Sequence, residues 1–194
     1  MQKKSTFIIA FLLLSIISSA QFQKGTTALN FNIGDIRNTN IRNKSFDKNN
    51  NLSFNPGFGY FIKKNWEIGV GLNFNSVHFR DTLYGEHKYD GHTFGINIYT
   101  NYYLGKGKLK PYFTFQTGWN QTTGNSSYAG TLNYYKRNQF YYGIGGGLNW
   151  NVNSRFSLFT EATYRNEYPF DMYGEGRANI TIGARFFFNN KKGK

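Results

Sequence analysis

The stretch Trp66-Glu67-Ile68-Gly69-Val70-Gly71-Leu72-Asn73-Phe74-Asn75 decides the fold. Every even position carries a large apolar side chain, and every odd position carries Glu, Gly or Asn. A period of two belongs to an extended strand with one apolar and one polar face, whereas a helix repeats every ~3.6 residues. A strand tilted in a bilayer needs about ten residues to cross it, and this run has that length.

Outward from this stretch the same alternation recurs along the chain. It predicts strands over roughly 25–34, 52–62, 66–79, 92–104, 109–119, 139–150, 156–165 and 177–188. Ile144 to Asn151 repeats the composition of Ile68 to Asn75, although one strand would run up and the other down. The connections alternate as well. Short ones fall at Lys63-Lys64-Asn65, Gly105 to Lys108 and Asn151 to Arg155. Long ones run from Asp35 to Asn51, Arg80 to Gly91, Asn120 to Asn138 and Asn166 to Gly176. Short turns on one side and long loops on the other are what an up-and-down transmembrane barrel requires. Pro56, which cannot donate to a ladder, marks the second strand as the place for a bulge.

Alternation alone fits both an apolar-out membrane barrel and an apolar-in soluble one. The polar parity separates them. A strand face turned to water is rich in Lys and Glu, whereas here it carries Gly, Asn, Thr, Gln and Tyr with few charges. Small and uncharged hydrogen-bonding residues suit a narrow barrel interior. Aromatics fall at both ends of the strands, Trp66, Trp150, Phe186 and Phe188 toward the short turns and Trp119 toward the long loops. These five are the candidate membrane-interface residues, because aromatic rings collect at the headgroup level.

The remaining composition narrows the setting. The 194 residues include 20% aromatics and 17% charged residues, a balance opposite to that of a disordered chain. Without Cys there are no disulfides, thiolate metal sites or thiol nucleophiles. Lys3 and Lys4, the apolar run Phe7 to Ile17 and the small residues Ser18-Ser19-Ala20 read as a secretory signal peptide over residues 1–20, leaving 21–194 as the barrel.

These features together resemble the small outer-membrane β-barrel proteins of Gram-negative bacteria, the eight-stranded OmpA-like barrel domain family. The resemblance spans about Gly25 to Phe188 and rests on the leader, the hairpin rhythm and the last strand, Ala178 to Phe188. That strand looks like the aromatic-ended signal read by the barrel-insertion machinery, although Asn189 to Lys194 follow it. The resemblance implies an all-β, eight-stranded antiparallel up-and-down barrel in the outer membrane. No peptidoglycan-binding domain follows the barrel, so cell-wall tethering is not implied.

Glu67, Glu161, Arg165, Arg177 and Arg185 share the polar parity and form the candidate lumen charge network, since a buried charge needs a partner. No cofactor and no metal site is expected. His78, His87 and His92 bracket the second long loop at no fixed ligand spacing. Gly143 to Gly147 sits inside an alternating strand, not before a helix, which argues against a phosphate-cradling loop. The net charge of +13 is spread over turns, loops and tail. In an envelope protein it is expected to meet lipid phosphates and lipopolysaccharide, not nucleic acid. The expected role is structural or surface-binding, through long loops able to take an extracellular ligand, with a narrow pore for ions or small solutes as the alternative. A lipid-modifying enzyme ranks last: Ser76 and His78 are the only neighbouring Ser–His pair, and spacing alone does not make a nucleophile.

Overall fold

The computed structural model describes residues 22–34, 50–81, 87–128, 131–169 and 175–189. Among these residues the alternating stretches form eight strands: β1 Thr26–Ile33, β2 Asn50–Lys63, β3 Trp66–Asp81, β4 His87–Tyr103, β5 Leu109–Tyr128, β6 Thr131–Asn151, β7 Phe156–Pro169 and β8 Glu175–Asn189. Each strand pairs antiparallel with its sequence neighbour, and β1 pairs with β8 to close the barrel. The signal-peptide reading of residues 1–20 lies outside the described residues. At the tight end, Asn65 adopts a left-handed φ of 63° in the turn between β2 and β3, and Gly105 one of 78° after β4. Asn and Gly are the residues that enter this region at least expense.

Burial is inverted relative to a soluble protein. Ile98, Ile144 and Ile182 are 57%, 60% and 64% exposed, while Asn149, Asn101 and Asn30 are at most 5% exposed. Such an apolar outer surface is stable only against lipid. The apolar-out reading of the alternation is therefore the observed one.

The strands run further into the second and fourth long connections than the sequence reading has them, β3 to Asp81 and β4 from His87, β7 to Pro169 and β8 from Glu175, and two further features differ. The residues taken as the third long loop, 120–138, are mostly strand: β5 and β6 stay in register from Leu109↔Trp150 to Tyr128↔Thr131. Above the bilayer both faces of a hairpin meet water, so Thr122, Thr123, Ser126 and Asn133 hold the ladder with no apolar period to betray it. Pro56 makes no bulge. The register continues from Phe54↔Phe74 to Gly57↔Gly71, the ladder to β3 omitting only the two residues between, and the shift in β2 falls at Phe61/Lys63 beside the turn.

The height of the apolar band is testable at two outward positions, Val70 on β3 and Thr123 on β5. Replacing outward Val70 by Arg, near mid-membrane, should lower the folding free energy in lipid vesicles by about 2–4 kcal/mol. The same replacement at Thr123, above the apolar band, should change it by less than about 1 kcal/mol. Urea titration followed by heat-modifiable gel migration measures both, and equal effects would contradict the assigned depths.

Candidate functional site

The lumen is the candidate site, and its floor is built from aromatic rings. Phe22, Phe61, Tyr103, Tyr112, Phe159 and Phe187 are all at most 5% exposed and cluster at the short-turn end. Phe22 precedes β1 and folds back into the barrel mouth. Its ring lies 5.0 Å from Phe61, 4.4 Å from Tyr103 and 5.1 Å from Phe187, centroid to centroid. The Phe22 carbonyl accepts from the Asn65 amide at 2.9 Å, and the Lys110 ammonium sits 4.1 Å from the ring centre. The plug is therefore tied to the turn and covered by a cation.

Above the floor lies a charge pair joined through neutral side chains. Glu67 and Arg185 are fully buried. Tyr103 donates its hydroxyl to Glu67 Oε2 at 2.6 Å and accepts from Arg185 Nη1. Asn30 makes the second bridge, donating to Glu67 Oε1 at 3.3 Å and accepting from Arg185 Nε at 2.5 Å. Tyr99 and Asn101 complete the carboxylate shell at 3.3 and 3.1 Å, and Asn149 accepts from Arg185 Nη1 at 3.1 Å. The guanidinium also lies over Phe159, 4.6 Å from its centroid. Glycine makes the space: a Cβ on Gly59 would overlap the Glu67 carboxyl, and one on Gly69 would overlap the Tyr99 ring.

One tier higher, Tyr112 donates to Glu161 Oε2 at 3.0 Å, while Arg165 donates to Gln116 Oε1 at 3.3 Å and lies over Tyr141. Between these groups is a polar cavity of about 50 Å³, lined among others by Asn97, Asn101, Gln116, Glu161, Arg165 and Thr181. A polar space of that size accommodates about four waters. Asn97 Oδ1, Asn101 Oδ1, Gln116 Nε2, Arg165 Nε and Thr181 Oγ1 have no protein partner and are the groups such waters would satisfy.

Of the five charges singled out in the sequence, the structure joins Glu67 with Arg185 and sets Glu161 and Arg165 in the tier above. Arg177 pairs in register with Arg165, and its side chain is outside those described. The bridging residues Asn30 and Tyr103, and Asn101 beside the Glu67 carboxylate, are not part of the network the sequence reading names. Register is the signal that finds two of them, since Asn30 is the cross-strand partner of Arg185 and Asn101 that of Glu67. Of the candidate interface aromatics, Trp66, Trp150, Phe186 and Phe188 are outward and exposed, and Trp119 is outward and half-buried. Trp66 Nε1 donates to Thr100 Oγ1 at 2.8 Å. Among the described residues no group of three or more His, Cys, Asp or Glu is placed to hold a metal ion.

Removing Glu67 leaves the buried Arg185 charge uncompensated. Glu67→Ala should therefore lower unfolding free energy by about 3–5 kcal/mol. Glu161→Ala, which releases a single hydroxyl beside a polar cavity, should lower it by about 1–3 kcal/mol. Urea unfolding in micelles, followed by tryptophan fluorescence, checks both, and an unchanged midpoint for Glu67→Ala would contradict the network.

The family model described as outer membrane protein beta-barrel domain matches residues 9–186. Among solved structures the chain is similar to Ail, the attachment invasion locus protein of Yersinia pestis, at 15% identity and a TM-score of 0.58, covering 86% of this chain and 100% of that one. Ail in complex with the heparin analogue sucrose octasulfate matches at 15% identity and a TM-score of 0.56, with the same coverage. The N-terminal β-barrel domain of Pseudomonas aeruginosa OprF matches at 14% identity and a TM-score of 0.49, covering 85% of this chain and 98% of that one. At this identity the likeness to Ail is one of fold. No curated protein matches the sequence.

Proposed function

The chain belongs to the outer membrane protein beta-barrel family, and from that premise we propose that it acts through its surfaces, as a structural and surface-binding element of the envelope. The observation that carries this reading is the filled lumen. Phe22 and its ring partners occupy the periplasmic mouth, and the Glu67–Arg185 network spans the barrel above them. Glu67 and Glu161 are each held by a tyrosine hydroxyl, so neither of these two is free to steer an ion.

The surfaces offer two contacts. Exposed Lys63, Lys64, Lys106 and Arg155 ring the short turns, where lipid phosphates lie. At the other end the β5–β6 hairpin rises about 20 Å above Phe140, given ~3.3 Å per residue and a tilt near 40°. Its outward parity carries Leu132 and Tyr134, each 70% exposed, followed by exposed Lys136. An apolar and aromatic stripe next to a cation suits an extracellular partner that is itself anionic, such as a surface saccharide. Trp66, Trp119, Trp150, Phe186 and Phe188 serve as interface anchors, and β8 is the strand offered to the insertion machinery. The narrow-pore alternative draws support from the polar cavity alone, and it needs Phe22 to leave the mouth.

Planar-bilayer recording of the folded mature protein tests this reading. Stable insertion without discrete conductance steps is the expected result. Reproducible openings that persist at constant voltage would transfer the function to the lumen.

A further inference from the structure

The structure brings three side chains together on the outside of the barrel. On β3, Ser76 and His78 stand two residues apart and so share the outward face. Asp90 on β4 is the direct cross-strand partner of His78. His78 Nε2 is 3.2 Å from Ser76 Oγ, and His78 Nδ1 is 2.6 Å from Asp90 Oδ1. A single neutral tautomer satisfies both contacts: Nδ1–H donates to the carboxylate, and Nε2 accepts from the hydroxyl. That order of nucleophile, base and orienting acid is the one acyl transfer requires.

The setting indicates the substrate. Outward residues below Ser76 on β3 are Phe74, Leu72, Val70, Ile68 and Trp66, and those below His92 on β4 begin with Phe94, Ile96 and Ile98. The apolar band thus ends one rung below Ser76. Ten residues separate Ser76 from Trp66, a climb of about 25 Å for a tilted strand, the height of the apolar band. The hydroxyl therefore stands where the acyl-ester carbonyls of outer-leaflet lipids lie. Beside it is a groove of about 380 Å³ lined by Leu52, Phe54, Phe74 and Phe94, an apolar seat for an acyl chain. Ser76, His92 and Thr123 form one cross-strand row along the groove, with His92 the direct neighbour of Ser76 and so the nearest side chain on that row able to face an oxyanion.

We propose that Ser76, His78 and Asp90 form a lipid-facing esterase site that hydrolyses fatty-acyl esters of outer-leaflet lipids. Ser76 Oγ attacks the ester carbonyl as its proton passes to His78 Nε2, and Asp90 holds the resulting imidazolium. The C–O bond to the lipid alcohol then breaks, and that oxygen takes the proton from His78. Water attacks the acyl-serine, again giving a proton to His78. The fatty acid leaves as Ser76 recovers its proton. The half-exposed His78 and Asp90 side chains, 52% and 60% accessible, leave room for that water. This activity is independent of whether the lumen conducts.

The test uses purified, folded mature protein. A fluorophosphonate probe, which reacts only with an activated serine, should label the protein at Ser76 and leave Ser76→Ala and His78→Gln unlabelled. Fatty-acid release, followed by mass spectrometry, should fall about 10³-fold or more in those two variants. Micelles of phosphatidylethanolamine in one arm and lipopolysaccharide in the other distinguish the two ester sources. Heat-modifiable migration verifies that each variant folds. No labelling of folded wild-type protein, labelling at another residue, or undiminished hydrolysis by Ser76→Ala would each overturn the proposal. The labelling result on the wild type stands even where a variant fails to fold.

Discussion

Backbone hydrogen bonding in hydrocarbon is the constraint on which this structure depends. Each unpaired N–H or C=O facing lipid costs several kcal/mol, so a sheet in a membrane has to close on itself. Here closure is the pairing of β1 with β8, from Thr26↔Asn189 to Ile33↔Ile182. That seam also sets Asn30 opposite Arg185. The central charge network is thus a consequence of how the ends of the chain meet. Phe22 follows from the same seam, since the residues before β1 emerge at the barrel mouth, where an aromatic ring finds other rings to cover.

Closure with eight strands leaves a lumen narrow enough for side chains to fill. The filling follows two different chemistries along the axis. At the short-turn end it is aromatic and dry. Above that it becomes a polar scaffold in which Tyr103 and Asn30 connect one carboxylate to one guanidinium. The outer surface is arranged by the opposite logic, with apolar side chains against lipid and polarity returning at Ser76, His78, Asp90 and His92. Strand pairing places chemically competent groups on that boundary line because cross-strand neighbours are ~5 Å apart whatever their separation in sequence.

Much of this was legible in the sequence because the period of two is a local property. Glu67 and Gly69 could be assigned to the lumen, and Ile68 and Val70 to lipid, without knowing any partner strand. Register is not local. Asn101 reaches Glu67, and Asp90 reaches His78, only through the β3–β4 ladder, so neither association could be read from spacing. The extended β5–β6 hairpin leaves no mark in the sequence for a different reason. Once both faces are wet, polar residues such as Thr122 and Asn133 alternate with each other, and the signal that marks a membrane strand disappears. Pro56 shows the converse: a residue that ordinarily interrupts a ladder is absorbed by leaving a short gap on one side of β2.

Everything above rests on β3 running through the bilayer with its even residues against lipid and reaching the outer interface at Ser76. A nitroxide scan of positions 66 to 78 in the folded, reconstituted protein tests it most directly, comparing accessibility to oxygen and to a water-soluble nickel chelate. Oxygen accessibility should be high at even positions, greatest near Val70 and Leu72, with the nickel signal overtaking it at Ser76. Equal accessibility at odd and even positions, or a crossover well below Phe74, would contradict it.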